Sequence, residues 1–161
     1  MLWPHLRAAY NFARWLVRNE HDAEDVVQES FVKAFQGLER FRGGDARVWL
    51  LAIVRNTAMT LLRRRRSEAA WPVDQAASEP VDLAADPETA VIESGRRRQL
   101  RAAIEHLPDE FRETLILREL EGLSYKEIAG VLNVPMGTVM SRLARARDLL
   151  MRGLAAERGA R

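Results

Sequence analysis

The sequence predicts an all-α protein: two small helical domains joined by a flexible acidic linker, the second containing a helix-turn-helix. Three observations lead there. Apolar residues recur at helical spacing on either side of a single interruption. Strand signals are missing, since no Asn-Gly or Asp-Gly pair and no clean alternating β-branched run occurs. Charge is also segregated: residues 1–66 carry 12 basic and 7 acidic side chains, 67–94 none and 7, and 95–161 13 and 9. A net charge of +2 therefore hides two basic blocks flanking an acidic bridge.

In the first block Leu6, Tyr10, Ala13 and Val17 mark a helix that breaks at Asn19 to His21. Asp22 is expected to cap the next helix, with Glu24 and Asp25 in its first turn, where the positive end of the dipole favours acids. Val27, Phe31, Ala34, Phe35 and Leu38 form that helix's apolar stripe. Asp25, Glu29, Val32 and Gln36 form the opposite one, with Gln28 beside it. Arg42-Gly43-Gly44 ends the unit. Asp45 can cap a third helix, whose core runs from Val48 to Leu62 before the cations Arg63 to Arg66 close it. Each block of about 65 residues can hide only about 60% of its unfolded surface, which suits three or four helices.

Residues 67–94 contain Pro72, Pro80 and Pro87, much Ala and unpaired acids, with no sustained period. They read as a linker that lets the two domains move as separate bodies. Beyond it, Leu100, Ala103, Ile104 and Leu107 predict an amphipathic helix, and a second starts at Pro108 and carries Phe111, Leu115 and Leu120 to a stop at Gly122. Ser124-Tyr-Lys-Glu127 is a capping box, opening a short helix with Ile128, Ala129 and Leu132 inward. Asn133 occupies a turn position suited to left-handed φ, and Val139, Leu143, Ala146 and Leu150 face inward on the last helix. Its outer face then presents Thr138, Met140, Ser141, Arg142, Ala144 and Arg145. Two helices on a tight turn with an Arg-bearing outer face match a major-groove reader, although helical pairs of this shape also occur without DNA.

Several function classes are excluded. With no Cys, the chain offers no disulfide, thiolate nucleophile or Cys-bearing metal site. The longest apolar run, Val48 to Val54, is far short of the roughly 20 residues that span a bilayer. The N-terminus has no export signal, so a cytoplasmic protein is expected. His21, Asp22, Glu24 and Asp25 resemble metal ligands superficially, but acids at a helix start serve the dipole and no second His group completes a site. No phosphate-cradling Gly loop or nucleophile motif appears. The expectation is no catalytic residue, no metal or other cofactor, no membrane contact and no small-molecule substrate. Basic blocks point to a polyanion, although 23 of the 25 cations are Arg, which also suits solvated helix faces.

The stretch from Leu107-Pro-Asp-Glu-Phe-Arg-Glu-Thr-Leu115 through Gly122-Leu-Ser-Tyr-Lys-Glu-Ile-Ala129 to Gly137-Thr-Val-Met-Ser-Arg-Leu-Ala-Arg-Ala-Arg147 resembles region 4 of bacterial sigma factors of the extracytoplasmic-function (ECF) group. His21-Asp-Ala-Glu-Asp-Val-Val-Gln-Glu-Ser-Phe31, Phe41-Arg-Gly-Gly-Asp45 and Trp49-Leu to Arg55-Asn56 resemble their region 2. The two matches lie in order across nearly the whole chain. The resemblance implies a transcription initiation factor: residues 1–66 bind core RNA polymerase and the minus-10 element, 67–94 form the linker, and 95–161 bind the minus-35 element.

By the same resemblance Asp25, Gln28, Glu29 and Val32 dock on the β′ clamp helices, and the β subunit and an anti-sigma protein are further partners. Asp45, Arg47, Arg55, Asn56, Arg63 and Arg64 are implied for the minus-10 strand, and Thr138, Met140, Ser141, Arg142 and Arg145 for minus-35. The chain departs from the family pattern in a shorter loop from Gly43 to Arg47 and in Met140 and Ala144, where a basic and a larger residue are usual. Trp49 reads either as core or as a stacking platform, and Arg63 to Arg66 either as phosphate contacts or as a charged helix end. Two alternatives remain: a sigma-like decoy that sequesters an anti-sigma protein, and a free-standing helix-turn-helix repressor.

Overall fold

The computed structural model describes residues 2–68 and 90–159, with side chains described for 2–68 and 95–157. Among these residues every regular element is helical: α1 (Leu6–Val17), α2 (Glu20–Gln36), α3 (Ala46–Glu68), α4 (Ala90–Glu105), α5 (Asp109–Glu119), α6 (Tyr125–Leu132) and α7 (Met136–Gly159), with short 3-10 turns at Trp3–His5 and Leu38–Arg40. Most of the expected linker falls outside the described residues. Its edges are helical, however, because α3 continues to Glu68 and α4 begins at Ala90.

In the first half α1, α2 and α3 pack on one another around Ala9, Phe12, Leu16, Val26, Leu50 and Val54. The α1–α2 junction corrects the expected cap. Asn19 has extended backbone, and its side-chain oxygen accepts from the Asp22 amide at 3.1 Å, so Asn19 is the N-cap. Asp22 turns inward instead and pairs with Arg65 of α3, a partner 43 residues away that local pattern cannot reveal. Asp45 does cap α3, accepting from the Arg47 amide at 2.9 Å after Gly43 and Gly44 turn the chain with positive φ.

In the second half α4 and α5 meet at a corner held by Arg112, and α5, α6 and α7 enclose Leu115, Leu117, Leu123, Ile128, Val139 and Leu143. Leu100 and Leu120, expected inside, are exposed. Leu107 is buried as expected. Gly122 stops α5 with φ +66, and the capping box forms in full, Ser124 Oγ accepting from the Glu127 amide at 3.1 Å while Glu127 accepts from the Ser124 amide at 2.9 Å.

The two halves do not stand apart. Helix α3 packs on α6 and α1 on α5, and the buried residues of both halves make one continuous core. Separate bodies were expected because the linker lacks apolar surface. Among the described residues closure comes from α5, which is buried on nearly every side from Arg112 to Leu117, its two faces serving different halves.

Candidate nucleic-acid interface

The helix-turn-helix is built by backbone geometry at one residue. Asn133 adopts φ 54 and ψ 50, ending α6, and the Val134 amide returns to the Ala129 carbonyl at 3.1 Å. The Pro135 carbonyl then accepts from the Thr138 amide at 3.0 Å as α7 begins. Val139, Leu143 and Ala146 are buried, which turns Met140, Ser141, Ala144 and Arg145 to solvent; Met140 is 48% exposed. Thr138 is half-buried and its carbonyl accepts from Ser141 Oγ at 3.1 Å. Arg142 is also half-buried and pairs with Glu110 at 3.3 Å, so it braces α7 on α5. Arg147 is held by Glu119 at 2.9 Å, which raises its pKa. Among the described residues Arg145 is thus the unpaired guanidinium of this outer face.

On the first half, Asp25, Gln28 and Glu29 form an exposed row along α2. His21 lies 3.6 Å from Asp25 and Lys33 lies 3.3 Å from Glu29. Beside the row Val32 and Phe35 are 52% and 51% exposed, although Phe35 was expected to face the core. Trp3, Phe31 and Phe35 form a chain of rings with centroids 6.1 and 6.5 Å apart, so the surface joins an acidic edge to an apolar one.

The residues expected on the minus-10 strand share α3 and the loop before it, but their environments differ. Asp45 is committed to its cap. Asn56 is exposed, as are Arg63 and Arg64, which have no ion pair among the described residues. Arg65 and Arg66 instead pair with Asp22 and Asp109. Arg47 Nη1 donates to the Glu121 carbonyl at 2.8 Å and lies 3.9 Å from its carboxylate. Arg55 Nε and Nη2 donate to the two carboxylate oxygens of Glu113 at 3.2 and 3.3 Å. Burial raises the pKa of both Glu113 and Glu121, against the pull of Arg55 and Arg47 respectively. Trp49 settles between its two readings: it is half-buried and packs on Phe41 with ring centroids 5.0 Å apart. The pair borders a cleft of about 400 Å³ that Arg40 and Arg42 flank and Glu127 and Gly130 of α6 overhang.

Glu113, Glu121, Arg18 and the Phe41–Trp49 pair were not singled out from sequence. One signal was available for Glu113: the run Phe111 to Leu117 has no polar face wide enough to leave it in water.

Residues 3–68 match the family model for sigma-70 region 2, and residues 97–150 match that for sigma-70 region 4. The ECF RNA polymerase sigma-E factor of Escherichia coli (strain K12) is 39% identical over 137 residues, spanning 80% of this chain and 72% of that protein. The chain belongs to the ECF sigma factor family. The ECF RNA polymerase sigma factor SigE of Mycolicibacterium smegmatis is 38% identical over 149 residues, covering 91% of this chain. This ECF sigma factor spans 57% of the length of that relative. Among solved structures it is similar to the sigma factor RpoE from Bartonella quintana in complex with the anti-sigma factor NepR, with a TM-score of 0.77, 27% identity, and 96% and 94% of the two chains covered. It is also similar to CnrH in complex with the cytosolic domain of CnrY, with a TM-score of 0.68, 29% identity, and 96% and 85% covered. The family excludes the free-standing repressor, which would leave the first half unexplained. No helix among the described residues is long and apolar enough to cross a membrane.

Proposed function

We propose that this ECF sigma factor binds core RNA polymerase in the cytoplasm and directs it to promoters with minus-10 and minus-35 elements, under control of an anti-sigma protein. The observation that carries the reading is the joint presence, in one chain, of an exposed acidic and apolar α2 face and an outer α7 face bearing Arg145. Labour divides between residues 1–66 and 95–161, with 67–94 as the acidic connection. Asp25, Gln28, Glu29 and Val32 meet the β′ clamp helices, an acidic edge suiting a basic partner while Val32 adds apolar contact. The β subunit is a second contact, and RNA synthesis belongs to the polymerase.

Arg47, Arg55, Asn56, Arg63 and Arg64 hold the minus-10 strand, with Asp45 fixing the loop. Unstacking a base costs a few kcal/mol, which aromatic stacking and phosphate contacts offset. Thr138, Met140, Ser141 and Arg145 face the minus-35 duplex, with Arg142 bracing their helix on α5, and Arg145 is best placed to reach a base edge. The decisive test is gel filtration of the protein with core polymerase. Co-elution is expected, and separate elution at micromolar concentration would sink the proposal in favour of a decoy.

A further inference from the structure

Most of the outer face of α7 has no free charge to offer a base edge. Arg142 is held by Glu110 at 3.3 Å, Arg147 by Glu119 at 2.9 Å and Arg152 by Asp148 at 3.2 Å. Ser141 donates its hydroxyl to the Thr138 carbonyl at 3.1 Å, so its donor is spent within the helix. Among the described residues Arg145 is the one charged donor of this face left unengaged. Beside it runs an apolar ridge. Met136, Met140 and Ala144 follow one another at four-residue spacing and all are exposed, the two methionines to 46% and 48%. Val139, Leu143 and Ala146 already fill the core beneath, to which the ridge adds nothing.

The ridge stands where a major-groove reader makes its base contacts, in the N-terminal turns of the second helix of the motif. The apolar group that unmodified DNA places in that groove is the C5 methyl of thymine. A thioether on three rotatable bonds adapts well to such a target. Residues four apart lie about 6 Å apart along the helix axis, close to two base-pair steps of about 3.4 Å. We infer that Met140, with Met136 one turn before it, is a specificity-determining residue that reads thymine methyls, so the duplex this protein prefers carries thymine within about two base pairs of the guanine read by Arg145. The inference rests on the minus-35 assignment proposed above and names the base chemistry that the helix selects.

The test uses the full chain, on whose surface both methionines lie in the free protein. Duplexes are selected from a library with a randomised centre at low, fixed salt. A fluorescein-labelled copy of the winning duplex is then titrated with each thymine replaced, one at a time, by deoxyuridine. That exchange removes one methyl and keeps every hydrogen bond of the base pair. The wild type should enrich thymine beside guanine and lose about fourfold in affinity at one or two replaced positions, the effect of returning one methyl-sized group to water. Met140→Ala should bind the thymine and deoxyuridine duplexes alike at the position it reads. Met140→Leu, still apolar, should keep the discrimination. Both changes fall on an exposed side chain, and an unaltered circular-dichroism spectrum checks the fold.

Equal losses from deoxyuridine in the wild type and Met140→Ala overturn the inference, because the methyl would then act through the shape of the DNA and not through this side chain. A uniform loss for Met140→Ala across all duplexes overturns it too, as does selection of a sequence without thymine or of no sequence at all. Indifference of the wild type to deoxyuridine does the same and hands the ridge to a protein partner. These readouts need no polymerase. Failure of the wild type to co-elute with core enzyme sinks the proposed function and leaves the methyl result standing, whereas co-elution without thymine selection sinks this inference alone.

Discussion

Arg112→Met is expected to destabilise the second half by about 3–4 kcal/mol. Arg112 is the largest fully buried side chain, 2% exposed, and it lies where α4 ends and α5 begins. Its Nη1 donates to the carbonyls of Glu105 and Leu107 at 3.1 and 3.0 Å, and its Nη2 donates to the Asp109 carboxylate. The Glu105 carbonyl ends α4, where the helix leaves acceptors without intrahelical partners, and the Leu107 carbonyl lies in the turn just beyond it. Each hydrogen bond involving a charged group contributes about 1.5–3 kcal/mol, so three come to roughly 4–9 kcal/mol gross. Against this stands the desolvation of the guanidinium, seen in its lowered pKa, which burial causes first and nearby Arg18 second. Methionine restores apolar volume but forfeits all three bonds and strands the Leu107 carbonyl, while Arg18 still serves the Glu105 carbonyl and Arg66 the Asp109 carboxylate, and the net loss is about 3–4 kcal/mol. Urea unfolding followed by circular dichroism measures it: with a slope near 2 kcal/mol per molar, the midpoint should fall by about 1.5–2 M. A fall under about 0.3 M would refute the reasoning and class Arg112 with ordinary surface arginines, whose replacement costs about 0.5 kcal/mol or less.

Reversing Asp25 and Glu29 to Lys should abolish retention by immobilised core polymerase while leaving the helical circular-dichroism signal intact; unchanged retention would remove α2 from the interface. On α7, Arg145→Ala should relax base preference and Met140→Arg should shift it, measured by duplex binding across single-base variants at fixed salt. An Arg–guanine pair carries roughly 1–3 kcal/mol of discrimination, whereas a phosphate contact weakens all sequences alike. A uniform loss for Arg145→Ala would make that residue a phosphate anchor. Glu113 supplies a pH test: its folded pKa lies above the ordinary 4.5 because burial raises it, so its favourable contribution is present in full below 4.5 and is lost as pH rises through the folded value. Glu113→Gln should flatten the fall in urea midpoint between pH 4 and 7, and an equal slope in both proteins would contradict the assignment.

What the sequence made legible was local. The capping box at Ser124 and Glu127, the left-handed Asn133, the Gly122 stop and the Asp45 cap each depend on residues within a few positions, and all four form. The inward side of α7 follows from period alone. The long-range pairs were hidden. Asp22 looks like a cap until Arg65 claims it, and nothing near Glu113 in the chain announces Arg55, 58 residues earlier. Leu100, Leu120 and Phe35 fit their helical stripes but lie at the margins of the packed faces, where period no longer decides burial. The acidic row on α2 was visible as residue types, whereas the engagement of Arg47 and Arg55 by the second half needed three dimensions.

Runoff transcription with purified core polymerase on a randomised promoter library tests the central claim most directly. The account predicts transcripts that require both core enzyme and this protein, start at fixed distances from a shared pair of minus-10 and minus-35 sequences, and disappear with the Asp25 and Glu29 reversals. Core enzyme that gives the same transcripts with and without the protein, while the protein still captures an anti-sigma partner, would contradict it.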